Sequence, residues 1–286
     1  MLELKQLSKH FRKNRVLDAI DLSVANGERI ALIGSNGAGK TTLIRCLLGE
    51  YVHEGSVLIQ GLDPRLERAR VLREVGFVPQ LPPPLRMSVH ELLRFTSELT
   101  DTPVAAMTAI AARLGLDLAR VEHLPFAKLS GGQKQKVLIA LALGRPCALL
   151  ILDEPAANLD PEARHAFFDL LAEQTAARAI TLLISSHRLD EVAPLVNRVV
   201  EMDMGRIVLD DRVADSTALD GKLTVRIVLS RAEEVIARAL GQWGLSADAT
   251  SLVWEGIIAS PDRLRFIGML SRYVGLIRRV AIEEQS

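Results

Sequence analysis

The stretch GSNGAGKTT, residues 34–42, decides the fold. It follows a short apolar run at residues 29–33 and precedes residues 43–48, whose apolar spacing predicts a helix. Its glycines allow backbone N–H groups to turn inward around phosphates, and the helix that follows directs its positive end at the same anion. Lys40 is expected to reach the β- and γ-phosphates, and the Thr41 hydroxyl to ligate Mg²⁺. The stretch therefore predicts a nucleoside triphosphate site on an α/β fold.

A second motif supplies carboxylates. The apolar run ALLIL at residues 148–152 reads as a buried strand and ends in Asp153 and Glu154. Asp153 is placed to hold the Mg²⁺ shell, and Glu154 to polarise water as a general base. With the phosphate loop upstream, this pair predicts phosphate-ester hydrolysis. The phosphate loop by itself would also fit a kinase or a GTPase.

The five residues LSGGQ at 129–133 narrow the family. Ser130 and the backbone N–H groups of Gly131 and Gly132 stand at a predicted helix start and form a second anion site. With the two motifs above, residues 1–210 resemble the ATP-binding cassette of ABC transporters, a P-loop NTPase fold. The resemblance implies an ATPase with ATP and Mg²⁺ as cofactors. It also implies a head-to-tail homodimer or paired cassette, in which the signature of one subunit closes on ATP held by the other.

The same resemblance assigns roles to single residues. Phe11 corresponds to the aromatic residue that stacks on adenine, with an edge-strand core residue as the alternative. Gln80 corresponds to the residue that senses Mg²⁺ and the membrane partner, His187 to the one that contacts the γ-phosphate, and Asp160 lies in the dimer-contacting loop. Lys40, Glu154 and His187 are the expected catalytic residues, and Thr41, Gln80 and Asp153 the expected metal ligands. The expected ATP-binding residues are Phe11, Gly34, Ser35, Asn36, Gly37, Ala38, Gly39, Lys40, Thr41, Thr42, Gln80, Ser130, Gly131, Gly132, Gln133 and Asp160.

The chain divides into two predicted domains. An ABC nucleotide-binding domain is expected at residues 1–215, with an inserted helical subdomain at about 82–145. After a polar linker at 211–220, residues 220–286 read as a small α+β domain of the ferredoxin-like order βαββαβ. Its expected strands are 223–229, 251–254, 256–259 and 276–282, and its expected helices are 232–243 and 261–273. Because it carries no nucleotide motif, this accessory domain is expected to regulate or dimerise.

Composition restricts the partners. The formal net charge is +0 and the pI is about 7.0, so no nucleic-acid partner is expected. The most apolar region, residues 137–152, is interrupted by Gly144, Arg145 and Pro146 and is too broken to span a bilayer. Any membrane role therefore goes through an integral membrane transporter subunit. The expected location is cytoplasmic and peripheral, on the cytoplasmic face of the membrane.

The kind of ABC protein is predicted from two segments. MSVHELLRF at 87–95 and Ser185-Ser186-His187 are similar to the group that works with ABC-2-type membrane subunits, which favours export. An importer ATPase, a soluble ABC ATPase acting on ribosomes or DNA, and a regulatory nucleotide-binding module are the alternatives. The proline-rich segment LPPPL at 81–85 is expected either to form a wall of a groove for a membrane-subunit helix or to be a surface loop. Because substrate specificity in this family lies in the membrane subunit, the sequence does not identify the substrate.

Overall fold

The chain folds as two units. The structure, a computed structural model, describes residues 1–187, 189–212, 222–259 and 262–284. Met1–His187 and Pro194–Asp210 form the first unit, and Arg188–Ala193 and Asp211–Ser286 form the second. The linker predicted at 211–220 lies outside the described residues from 213 onward. None of the helices in the described ranges combines the length and apolar character that a bilayer crossing requires.

The first unit contains two sheets and a set of helices. Its strands are β1 (Leu2–Phe11), β2 (Asn14–Val24), β3 (Arg29–Gly34), β4 (Glu54–Ile59), β5 (Val75–Val78), β6 (Leu149–Asp153), β7 (Thr181–Ser185), β8 (Arg198–Asp203) and β9 (Arg206–Arg212). Its helices are α1 (Lys40–Leu47), α2 (Arg68–Glu74), α3 (Val89–Thr100), α4 (Val104–Arg113), α5 (Gly131–Leu143) and α6 (Pro161–Ala177). The sheets have the orders β2-β1-β4 and β5-β6-β7-β3-β8-β9.

The six-stranded sheet positions the chemistry. Pairs β5/β6, β6/β7, β7/β3 and β3/β8 are parallel, and every residue of β6 and β7 is buried. Uninterrupted apolar runs form such strands because a parallel sheet is covered on both faces. Parallel strands end at one edge, so Gly34, Asp153 and Ser185 come close together there, with Asp153 and Ser185 in register. This edge is where open α/β sheets bind ligands.

The helix after the phosphate loop starts earlier than expected. The sequence predicts residues 43–48, whereas α1 begins at Lys40. Gly39 makes this possible, because its φ of 106° turns the chain directly from the loop into the helix. Lys40 and Thr41 therefore belong to the first turn of α1, where free N–H groups point at the loop. The core beneath contains residues of α1, β1, β2, β4 and one face of the six-stranded sheet.

The segment predicted as mostly helical, residues 82–145, contains α3, α4 and α5. Residues 101–103 join α3 to α4, whereas a longer connection at 114–130, with 3-10 helices at Leu118–Arg120 and Phe126–Lys128, leads from α4 to α5. Both α3 and α5 start with a capping box, in which an N-cap serine and the side chain three residues later satisfy each other's backbone N–H groups. The N-caps are Ser88 for α3 and Ser130 for α5. The start of the signature helix is thus fixed by local hydrogen bonds.

The second unit has the predicted order βαββαβ. After the short helix α7 (Leu189–Val192), the elements of this order are β10 (Lys222–Leu229), α8 (Glu234–Gln242), β11 (Ser246–Ala247), β12 (Val253–Ala259), α9 (Arg263–Ser271) and β13 (Ile277–Glu284). The antiparallel sheet has the order β11-β12-β10-β13. The prediction of two strands at 251–254 and 256–259 is wrong, because Gly256 lies inside the single strand β12. There a Cβ would lie 2.9 Å from Leu245 Cα, so this glycine permits a close backbone approach and does not break the strand.

Candidate active site

A cavity of about 530 Å³ lies where β3 and β6 end. Most of the residues that the sequence predicts for phosphate and metal binding line it. The lining residues are Val16, Asn36, Gly37, Ala38, Gly39, Lys40, Thr41, Thr42, Gln80, Asp153 and Glu154. The fold thus brings together residues from four separate parts of the first unit that are far apart in sequence.

The phosphate loop is built for an anion. At Gly34, φ is 146° and a Cβ would lie 2.3 Å from the Met202 carbonyl oxygen, so no other residue fits there. Lys40 Nζ donates hydrogen bonds to the carbonyl oxygens of Gly34, at 2.7 Å, and Ser35, at 3.1 Å. Burial lowers the pKa of Lys40, while the carboxylates of Glu154 and Asp153 act in the opposite direction. The loop therefore presents a mostly buried ammonium group and the first turn of α1 to the cavity.

Ser185 joins the two carboxylates of the site. Its hydroxyl donates to Asp153 Oδ1 at 2.6 Å and accepts the backbone N–H of Glu154 at 2.9 Å. Sequence reasoning did not assign Ser185 a role in the site. Its position beside Asp153 depends on the parallel register of β6 and β7, which no local pattern in the sequence specifies.

Glu154 adopts an unusual backbone conformation. Its φ of 47° lies in the left-handed region, which costs a non-glycine residue roughly 1–3 kcal/mol, and seven other described non-glycine residues also have a positive φ. Nδ1–H of His187 donates to Glu154 Oε2 at 2.7 Å, so this imidazole carries a hydrogen on Nδ1. A buried carboxylate at the cavity wall, oriented by a histidine, has the arrangement that a general base requires.

The signature residues lie elsewhere. Ser130, Gly131, Gly132 and Gln133 begin α5 and are absent from the residues that line the cavity. The Ser130 hydroxyl oxygen accepts the Gln133 N–H at 3.2 Å, and the Gln133 side chain accepts the Ser130 N–H at 3.0 Å. Within one chain, these residues therefore do not contribute to the cavity.

Both carboxylate oxygens of Asp160 accept hydrogen bonds from residues of the same chain. It caps α6 by accepting the Ala163 N–H at 2.8 Å, and its other carboxylate oxygen accepts from Lys136 Nζ at 2.9 Å. The hydrogen bond from Lys136 is the main cause of its lowered pKa. The expected ATP contact of Asp160 is not formed with the cavity of its own chain, because Asp160 is not among the lining residues.

Phe11 also lies off the cavity lining. Its ring packs edge-to-face on Tyr51, with centroids 5.2 Å apart, and Lys9 Nζ lies 4.7 Å from its centroid. The residue of this region that does line the cavity is Val16, which sequence reasoning missed because it continues the alternating pattern of β2. Stacking of Phe11 on adenine stays a prediction.

A second cavity of about 340 Å³ lies among α2, β5, α3 and α5, and we call it the α2–α5 groove. Its wall is mainly apolar, with two arginines and one glutamate. The lining residues are Leu48, Glu50, Arg68, Leu72, Val75, Phe77, Thr96, Leu99, Thr100, Leu138, Leu141, Ala142 and Arg145. The prolines of LPPPL do not line it. That LPPPL forms a wall of a groove for a membrane-subunit helix stays a prediction.

Comparison with known proteins adds to this geometry. The profile of the family described as ABC transporter matches residues 17–157. Glutamine transport ATP-binding protein GlnQ of Escherichia coli strain K12 is 34% identical over 220 residues, covering 73% of this chain and 90% of GlnQ. Methionine import ATP-binding protein MetN of Clostridium acetobutylicum is 35% identical over 218 residues, covering 72% of this chain and 67% of MetN. A solved structure described as the ATP-binding subunit of an ABC transporter matches with TM-score 0.66 at 31% identity, covering 74% of this chain and 90% of that chain.

Proposed function

The chain belongs to the ABC transporter ATP-binding family, and from that premise we propose that it powers an importer as a head-to-tail pair. Its assignment as an ATP-binding, ATP-hydrolysing subunit of an ABC transporter rests on the family match and on GlnQ, of which this chain covers 90%. The observation that carries the catalytic proposal is the single cavity shared by Lys40, Asp153 and Glu154. Direction of transport, pairing and the role of each residue form the proposal.

Import is favoured by the relatives. GlnQ is a glutamine transport protein and MetN a methionine import protein, and further relatives at 33–39% identity are import ATP-binding proteins for phosphonates, sulfonates and zinc. The sequence analysis favoured export because two segments resemble the ABC-2-type group. We give precedence to the relatives, since they align over most of the cassette, whereas the two segments cover few residues. Export remains the alternative that a transport assay must exclude.

The proposed chemistry is in-line hydrolysis of ATP. A water oxygen bonds to the γ-phosphorus while the bond from that phosphorus to the β–γ bridging oxygen breaks, which releases ADP and inorganic phosphate. Glu154 accepts the proton from the attacking water. His187, which donates to Glu154 Oε2, keeps that carboxylate oriented, while Lys40 and the N–H groups of residues 36–42 bind the phosphates.

Magnesium fits the same cavity. Thr41, Gln80 and Asp153 line it and offer a hydroxyl, an amide and a carboxylate oxygen, the hard ligands that Mg²⁺ prefers. Such an ion would be shared with the phosphates of ATP, whose negative charge it neutralises. Ser185, by donating to Asp153 Oδ1, restricts the rotation of the carboxylate and leaves its other oxygen for the metal.

A second copy completes the site. The signature residues do not line the cavity of their own chain, so an anion site at the start of α5 would act on ATP held by another chain. ATP bound between two copies then holds them together, and loss of the γ-phosphate releases them. The Glu154 to His187 contact and the signature helix would therefore work on opposite sides of one nucleotide.

The α2–α5 groove is the proposed contact with the membrane subunit. β5 links it to ATP, because Val75 and Phe77 line the groove and Gln80, two residues after the strand ends, lines the nucleotide cavity. Arg68 and Glu50 at the wall would pair with opposite charges on a short apolar helix of the partner. This docking would hold the chain at the membrane, and we propose the cytoplasmic face as its location.

Mixing two inactive variants tests the shared site. Lys40→Ala removes the phosphate-binding ammonium, and Ser130→Arg blocks the signature, so each homodimer should be inactive. A heterodimer regains one intact composite site, and part of the ATPase activity should return. As a control, Lys40→Ala mixed with Lys40→Ala/Ser130→Arg has no intact site. If heterodimers form without regaining activity, the shared-site proposal fails.

Reconstitution tests the direction. The chain would be purified with the membrane protein that accompanies it, placed in proteoliposomes and supplied with ATP on the side of this chain. Import predicts that solute leaves the compartment opposite this chain and accumulates on the ATP side. Movement away from the ATP side would replace import by export and would leave the ATPase assignment intact.

A further inference from the structure

Gln135 is a fully buried amide in the signature helix that the proposed mechanism does not use. It lies in α5, five residues after the N-cap Ser130. Its Nε2 donates to the Pro155 carbonyl oxygen at 2.9 Å, across to the loop that follows β6. Pro155 is the residue directly after Glu154, so this bond connects the signature helix to the turn that carries the proposed base.

The turn at Glu154 is held on both sides. Glu154, the left-handed residue, donates its own N–H to Ser185 Oγ, and the carbonyl of the next residue, Pro155, accepts from Gln135. The φ of 47° at Glu154 is unfavourable, so the conformation persists only where surrounding bonds enforce it. The Glu154 carbonyl also accepts the Ala157 N–H at 3.2 Å, so loss of the Gln135 bond would loosen the turn and shift the carboxylate without opening the turn completely.

The second polar atom of Gln135 argues that this amide is not kept for stability. Its Oε1 is buried and accepts no hydrogen bond from any described residue. An unpaired buried acceptor destabilises the fold, and an apolar side chain of the same length would avoid that penalty. A residue that weakens the core while making one bond next to a strained turn fits a role in positioning.

We propose that Gln135 is a positioning residue that sets the Glu154 carboxylate for hydrolysis and ties it to the signature helix of the same chain. The inference rests on the proposed role of Glu154 as general base. Because the signature of each chain acts on the ATP of its partner, Gln135 links the two sites of a dimer. Closure of α5 on one nucleotide is thereby communicated to the base that acts on the other.

Gln135→Met tests the proposal because it retains the length of the side chain and removes the donor. We expect kcat to fall about 10- to 100-fold, since a displacement of about 1 Å can cost 10²-fold in rate. KM for ATP should stay within about twofold, and Tm should change little, since the unpaired Oε1 is removed while the Pro155 carbonyl loses its donor. Ile139→Met, four residues further along the same buried face of α5, is the matched control and should leave kcat near wild type.

A double-mutant cycle separates positioning from packing. In a Glu154→Gln background, Gln135→Met should cause no further loss of kcat, and ATP should still drive dimer formation. Losses that multiply, or an unchanged kcat in Gln135→Met, would overturn the inference. If Gln135→Met does not fold, Gln135→Leu carries the same expectation. Near-normal turnover of Glu154→Gln alone would instead remove the proposed base, and this inference with it.

Discussion

Helices α3 and α5 begin with the same capping box and differ in what that box leaves for a ligand. At both starts an extended N-cap serine accepts the N–H of the residue three positions later at 3.2 Å. That later residue is Glu91 in α3 and Gln133 in α5, and its side chain accepts the N-cap N–H in return. The local geometry is the same, so the difference between the two starts is chemical.

In α3, Ser88 and Glu91 bond to each other and leave the Ser88 hydroxyl no hydrogen to donate to a ligand. The Ser88 hydroxyl also donates to Glu91 Oε2 at 2.9 Å, and the carboxylate neutralises the positive end of the helix. In α5 the neutral Gln133 leaves the helix end positive, and the Ser130 hydroxyl donates to no described residue. Two glycines, Gly131 and Gly132, follow it where α3 has larger side chains. The same cap thus stabilises α3 and, in α5, leaves a site for an anion.

The largest effect is expected from giving α5 the charge of α3. Gln133→Glu places a carboxylate at the helix start. There it would accept a hydrogen bond from the Ser130 hydroxyl and repel a γ-phosphate. Loss of such electrostatic stabilisation costs about 10²–10³-fold, so ATPase activity should fall by that factor. Steady-state ATPase assays check it, with Glu91→Gln as the reverse exchange, expected to stay within twofold of wild type. Equal activity of Gln133→Glu and wild type would show that charge does not distinguish the two starts.

A smaller loss is expected from giving α5 a side chain. In this chain a Cβ at Gly131 meets nothing within 4 Å, so Gly131→Ala should raise the free energy of unfolding by roughly 0.5–1 kcal/mol. ATPase activity should nevertheless fall about tenfold, because only the partner's nucleotide would meet the methyl group. Gly241→Ala in α8, where a Cβ also meets nothing, is the control and should gain stability without losing activity. A parallel change of activity in both variants would contradict the comparison.

The contrast also shows what a sequence can reveal. Residues 34–42 predict the phosphate loop because its glycines are required by the local backbone. The two apolar runs at 29–33 and 148–152 predict the strands β3 and β6, at whose ends the site lies. Ser185 and Gln135 could not be predicted, because their roles depend on which strand or loop lies beside them in the sheet. The position of Leu189 could not be predicted either. It follows His187 by only two residues, yet it belongs to the second unit, where it lies next to Gly268.

The third prediction separates the contribution of each N-cap serine to stability from its contribution to ATPase activity. Ser88→Ala removes the hydroxyl that accepts the Glu91 N–H and should lower the free energy of unfolding by about 1 kcal/mol. ATPase activity should not change at temperatures where the variant stays folded. Ser130→Ala should lose a similar amount of stability and, in addition, activity. Chemical denaturation and ATPase assays on both variants give the comparison, and a loss of activity in Ser88→Ala would make α3 part of the site.

The smallest effect is a pH dependence confined to α3. Hydrogen bonds from the Ser88 N–H and then from its hydroxyl lower the pKa of Glu91 in the folded chain. A depressed folded pKa means that the stabilisation is fully present above the unfolded value of about 4.3 and is lost as pH falls through the lower folded value. Other carboxylates titrate in the same range, but they are common to wild type and Glu91→Gln. The difference in Tm between these two proteins should therefore favour wild type above about pH 5 and diminish as the pH falls toward 3.

Because Glu91 is exposed, the difference will be small, and thermal melts at close pH intervals are needed to resolve it. A difference that is constant from pH 7 to pH 3 would mean that the charge of Glu91 contributes nothing to the start of α3, and that the two capping boxes differ only in what they offer a phosphate.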